Sequence, residues 1–119
     1  MPSSQPETAL FSELKDDEEL LPLIEHFVCR LIDKSDRMIE LLKSCRFDEI
    51  AQLAHQLKGA GGGYGYPTLS NAARSVEYAA KQDPQVEPLR ALILQLAELC
   101  AQATRGLRSG ACEVDFFGA

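Results

Sequence analysis

Phe47-Asp48-Glu49-Ile50-Ala51-Gln52-Leu53-Ala54-His55-Gln56-Leu57-Lys58-Gly59 is the stretch on which the fold turns. Ile50, Leu53, Leu57 and Tyr64 recur at helical spacing, with Ala54 and Gly61 on the same side. At about 100° per residue, Leu53 and Leu57 lie roughly 160° from His55. A helix that buries the leucines therefore turns the histidine to solvent. The outward stripe reads Asp48, Ala51, Gln52, His55, Lys58, Gly59 and Gly62, with a cation one turn from the imidazole and little bulk beside it. A lone surface histidine is ordinarily only solvated, but these neighbours make this one a candidate reagent.

The same period extends in both directions. No segment alternates apolar and polar residues over a useful length, so the chain is predicted to be all-α. A short first helix is expected over Pro6 to Leu14, capped by Ser4 and carrying Ala9 and Leu10 as its apolar side, as a lid. A second is expected from Asp17 to Ser44. Asp16, Asp17, Glu18 and Glu19 suit the positive end of the macrodipole, and Pro22 is tolerated only in a first turn. Its apolar row is Leu20, Ile24, Phe27, Val28, Leu31, Met38, Ile39 and Leu42. The third helix covers Phe47 to Gly63 and is followed by a turn around Gly65-Tyr66-Pro67. The fourth begins at Pro67, buries Leu69, Ala72, Ala73, Val76 and Ala80, and is stopped by Asp83-Pro84. The fifth runs from Gln85 to Arg108 with the row Leu89, Leu92, Ile93, Leu96, Leu99, Cys100, Ala103 and Leu107. Short connections favour antiparallel neighbours, hence an up-down antiparallel four-helix bundle with a short additional N-terminal helix. Residues 1–108 form one domain in this reading. The tail 109–119, with Val114, Phe116 and Phe117, is expected to fold back on the bundle rather than dock elsewhere.

Composition narrows the function. A net charge of −6 over 119 residues, with no cluster of Lys and Arg, argues against a nucleic-acid binder. No apolar run is long enough to span a bilayer, and Met1-Pro2-Ser3-Ser4 does not open a signal peptide, so a cytoplasmic location is expected. Cys29, Cys45, Cys100 and Cys112 lack the paired spacing of a zinc or redox site. They read as buried or partly buried free thiols, Cys45 extending the row of Met38, Leu41 and Leu42, and no disulfide framework is expected.

Five glycines between Gly59 and Gly65 lack the preceding strand of a phosphate-cradling loop. Each costs on the order of 1 kcal/mol in a helix relative to alanine. The reasons available are close packing at Gly61 and an open surface at Gly59 and Gly62. His26, with no lysine at i+3 and no small residues beside it, reads as a boundary or surface residue. The core rows place it on a different face from His55, which disfavours a two-histidine metal site; no metal and no cofactor of the chain's own is expected. Arg74 and Glu77 on the fourth helix could lie near His55, but the favoured reading is an exposed i,i+3 ion pair with no role for either. Without an orienting carboxylate or an enclosed pocket, His55 is not expected to act as an enzyme's nucleophile or base.

At this point the residues resemble a known family, the histidine-containing phosphotransfer domains of multistep two-component signalling. His55-Gln56-Leu57-Lys58-Gly59 is similar to that family's His-x-x-Lys-Gly signature, and Gly65 also fits, over a resemblance from about Leu20 to Leu107. The chain departs at Gly61-Gly62-Gly63, where the family more often has small polar residues or asparagine. The resemblance implies that His55 carries a phosphoryl group and that Lys58 helps hold it. It also implies partners: response-regulator receiver domains that bring their own Mg²⁺, and a sensor histidine kinase, hybrid or not. On this reading the chain is a carrier and co-substrate, not an enzyme, and Gln52, Gln56, Gly59 and Gly62 are the candidate partner contacts. A monomer is expected, since one bundle can close its own core. The competing reading is a helical adaptor that binds protein through its glycine-rich face and Phe116-Phe117 tail, with no chemistry at His55. Such an adaptor has no need of His55, Lys58 and Gly59 on one exposed stripe.

Overall fold

A computed structural model describes residues 9–107, and these contain helices and turns with no strand. The order is α1 (Leu21–Cys29), α2 (Leu31–Lys43), α3 (Phe47–Gly63), α4 (Pro67–Gln82) and α5 (Val86–Arg105). α2 packs on α3 and α5, and α4 packs on the same two helices, so the four close a ring around one core. α1 leans on α2 and α5. The core is supplied by the predicted rows: Ile24, Val28, Leu31, Met38, Ile50, Leu57, Leu69, Val76, Leu89, Ile93 and Leu96 are fully buried. Leu20, Ile39, Leu53, Ala72, Leu92, Leu99 and Leu107 pack half-buried against it.

Two expectations for the N-terminal third are corrected. The helix expected over Pro6 to Leu14 does not form in its described part, where residues 9–12 have no regular structure and 13–16 form a turn. The backbone there is engaged elsewhere. Leu10 N–H donates to Gln102 O at 2.9 Å, Glu13 N–H to Gly65 O at 2.7 Å, and the Ser12 hydroxyl to Tyr64 O at 2.5 Å. The segment is thus a strap across the α3–α4 corner and the end of α5, using donors that a helix would consume internally.

The single helix expected from Asp17 to Ser44 is instead a turn and two helices. Asp17 does act at the start, its carboxylate accepting from the N–H of Glu19 and Leu20 before α1 begins, and Pro22 falls in the first turn. The chain then breaks at Arg30, whose N–H donates to Phe27 O at 3.2 Å.

The corners of α2 and α3 share one device. At the end of α3, Tyr66 N–H donates to Gly61 O at 2.8 Å and Gly65 N–H to Gly62 O at 3.3 Å, with Gly65 at φ +86°. This is a Schellman closure, which needs a left-handed residue at that point. A side chain at Gly65 would also meet the Ser12 hydroxyl at 2.5 Å. At the end of α2 the equivalent left-handed residue is Cys45, φ +55°, with Arg46 N–H on Leu41 O. Cys45 is therefore an exposed helix terminator and not a continuation of the apolar row. Cys100 is buried as expected, and burial pushes its thiol up to about 12. Cys29 is half-buried and disulfide-bonded, where a free thiol was expected. The tail 109–119 lies outside the described residues.

Candidate functional site

His55 stands on α3 with its side chain 63% exposed, on the face opposite Ile50, Ala54, Leu57 and Gly61. Its neighbour across the α3–α4 seam is Glu77, whose side chain is only 9% exposed. His55 Nδ1 lies 3.0 Å from Glu77 Oε2. Lys81 Nζ, one turn along α4, lies 3.0 Å from the same oxygen, and Lys58 Nζ lies 3.0 Å from Oε1. Two ammonium groups and one ring nitrogen thus converge on one carboxylate.

The charge state follows from the geometry. The hydrogen bonds from Lys81, then Lys58, outweigh burial and hold the Glu77 carboxyl down at about 2. An ionised carboxylate can only accept, so the 3.0 Å contact requires the proton to reside on His55 Nδ1. In the neutral ring Nε2 is then left with its lone pair, and it has no hydrogen-bond partner among the described residues. The ring is oriented, set in one tautomer and open at its outer nitrogen.

The surroundings are open. Asp48, Ala51, Gln52, His55, Gln56, Glu77 and Lys81 line a shallow depression on the α3–α4 face. Gln52, Gln56, Gly59 and Gly62 are exposed, as the outward stripe requires. Ala51, placed on that stripe by the sequence reading, is instead buried at its edge, where α3 meets the core. A Cβ added at Gly59 would meet nothing, whereas one at Gly61 would come 3.3 Å from the backbone nitrogen of Ser70 on α4. The Ser70 hydroxyl donates to Lys58 O at 2.7 Å across that close approach. The expected division between a packed glycine and open ones therefore holds at Gly61 and Gly59. Gly62 is exposed, but its added Cβ would sit 3.6 Å from the Ser70 hydroxyl.

Glu77 does lie beside His55, the placement that the sequence left open while favouring an exposed pair. It was read as half of an exposed pair with Arg74, yet it is buried and paired with Lys58 and Lys81, and no ion pair joins it to Arg74 among the described residues. The expectation that His55 lacks an orienting carboxylate is overturned with it. A signal was present. Leu69, Ala73, Val76, Glu77 and Ala80 together form the buried positions of α4, so an acid fell within the helix's own apolar period. His26 lies where expected, exposed on α1, where Arg30 Nε donates to its Nε2 at 3.1 Å. Among the described residues no group of three or more His, Cys, Asp or Glu could hold a metal ion, and no helix is long and apolar enough to cross a membrane.

A family model described as the Hpt domain matches residues 18–106. The chain belongs to the Hpt domain family. The family's role is histidine-containing phosphotransfer in phosphorelays, with members acting as carriers rather than catalysts and normally meeting receiver domains and histidine kinases. Neither the curated proteins nor the solved structures compared with the chain gave a match.

Proposed function

We propose that His55 is the phosphoryl-carrying residue of a phosphorelay and that Nε2 is the reacting atom, on an up-down antiparallel bundle. The observation that carries this reading is the bond from Nδ1 to buried Glu77, which leaves the outer nitrogen of an exposed ring with a free lone pair. The neutral imidazole is the nucleophilic form, because imidazolium has no lone pair at Nε2. Nε2 attacks the phosphorus of a receiver's aspartyl phosphate, the N–P bond forms, the P–O bond breaks, and the aspartate carboxylate leaves. Nδ1 keeps its proton, so the phosphorylated ring is cationic beside the Glu77 anion.

That retained proton also serves the return step. When the aspartate of a second receiver attacks the phosphorus, the N–P bond breaks and the electron pair returns to a neutral imidazole, a far better leaving group than its anion. The partner is to supply Mg²⁺ and transition-state stabilisation, since the open depression around His55 encloses nothing. Lys58, one turn along α3, lies close enough to share its charge between Glu77 and an added phosphoryl group. Gln52, Gln56, Gly59 and Gly62 form the contact face, and Gly59 leaves room for a receiver's approach.

The test is incubation with a phosphorylated receiver. Acid-labile, base-stable label should enter the chain and be absent from the His55→Gln variant; label retained in that variant refutes the assignment.

A further inference from the structure

Lys81 was not singled out by the sequence and has no place in the transfer step itself, yet it shares an atom with the machinery. Its Nζ and His55 Nδ1 both lie 3.0 Å from Glu77 Oε2, while Lys58 takes Oε1. The spacing is built in, because Glu77 and Lys81 are i,i+4 on one helix. The Lys81 side chain is 58% exposed, whereas that of Glu77 is only 9% exposed.

We infer that Lys81 is a positioning residue for His55: by sharing Glu77 Oε2 with the ring it limits how tightly the carboxylate holds the Nδ1 proton, and so sets the pH range in which the imidazole accepts a phosphoryl group. The inference rests on the proposed role of His55. A buried carboxylate with no counter-charge would favour imidazolium over imidazole, and imidazolium has no lone pair at Nε2. Two ammonium groups on that carboxylate oppose this, through the shared acceptor and through direct repulsion of a ring cation.

The charged groups facing the pair are few. α3 contributes Lys58 and, lining the same depression, Asp48; α4 contributes Lys81. Arg74 makes no ion pair with Glu77, and no charged group of α5 pairs with it, among the described residues. Lys58 is also placed to meet the phosphoryl group, so its removal changes two things at once. Removing Lys81 isolates the tuning.

The experiment is an NMR titration of both histidine rings in the unphosphorylated chain, with wild type, Lys81→Met and Lys81→Arg. In Lys81→Met the His55 midpoint should rise by about half a pH unit, the scale of a partly exposed ion pair. Lys81→Arg should restore it, and His26 should not move in either. The pH at which phosphoryl acceptance reaches half its plateau should rise in parallel with the His55 midpoint. A His55 midpoint that stays put or falls in Lys81→Met overturns the inference, as does an acceptance profile that ignores a shifted midpoint. The ring titration needs no phosphoryl donor, which separates the two failures. If wild type takes no label while the midpoints behave as expected, the proposed function is wrong and the coupling of Lys81 to the ring is right. If wild type is labelled and the midpoint does not move, only the role of Lys81 is wrong.

Discussion

His26 and His55 are both exposed on helices of this bundle, yet their rings are held from opposite ends. At His26 the outer nitrogen, Nε2, accepts a hydrogen bond from Arg30 Nε at 3.1 Å, so its lone pair is engaged beside a fixed positive charge. At His55 the inner nitrogen, Nδ1, meets Glu77 at 3.0 Å and the outer one is unoccupied. Exposure does not distinguish a reagent from a bystander here. The partner's chemistry and the nitrogen it occupies do: an acceptor on Nδ1 releases Nε2, and a donor on Nε2 consumes it.

The sharpest way to break that comparison is to exchange the rings for amides. His55→Gln should lose all labelling from a phosphorylated receiver, and His26→Gln should be labelled like wild type. Neither change should alter stability by more than about 0.5 kcal/mol, since both positions are exposed. Labelling that depends on His26 would invert the account.

The next largest effect should come from the partner that only His55 has. Glu77→Ala removes the group that orients the ring and fixes its tautomer, and should slow acceptance by about ten- to a hundredfold. Glu77→Gln should lose less, because an amide oxygen still accepts from Nδ1–H. Rates in the order wild type, Gln, Ala support a positioning role; equal rates in all three remove Glu77 from the mechanism.

A smaller contrast separates the glycines of α3. Gly61→Val forces a branched side chain against the α4 backbone at Ser70 and should destabilise the bundle by about 1–3 kcal/mol in urea. Gly59→Gln has open space to fill and should leave the fold as stable or firmer, by up to about 1 kcal/mol. Its side chain would nonetheless obstruct the approach to His55 and slow transfer. Full-speed transfer in Gly59→Gln would show that the open surface is not required.

The smallest effect is in acid. Pairing lowers the Glu77 carboxyl from 4.5 to about 2. The stability it contributes is therefore whole above pH 4.5 and is lost as pH falls towards 2. The difference in urea midpoint between wild type and Glu77→Gln should therefore narrow as pH falls from 4.5 towards 2. A difference that stays flat across that acid window would contradict the pairing.

How much of this was legible depends on whether the deciding signal was local. α3 and α4 have the predicted bounds because Gly65, Pro67 and Asp83-Pro84 impose their effects within a turn or two. The break at Arg30 was not readable, since Cys29-Arg30-Leu31 contains no glycine or proline and the apolar row runs through it. The strap was misread because Ala9 and Leu10 suit a helix locally, while the acceptors that claim its backbone, Tyr64, Gly65 and Gln102, lie far along the chain. His55 and Lys58 were visible because they share one helix. Glu77 belongs to the same cluster only through the packing of α4 on α3, which the close approach at Gly61 permits.

The central claim is that Glu77 holds the Nδ1 proton and leaves Nε2 of His55 to carry the phosphoryl group. Nitrogen-15 NMR of the imidazole rings, before and after phosphorylation by a receiver, reads it atom by atom. The account predicts a proton on His55 Nδ1 in both states, phosphorus bonded to His55 Nε2 after transfer, and an unchanged His26. Phosphorus on Nδ1 of His55, or on either nitrogen of His26, would contradict it.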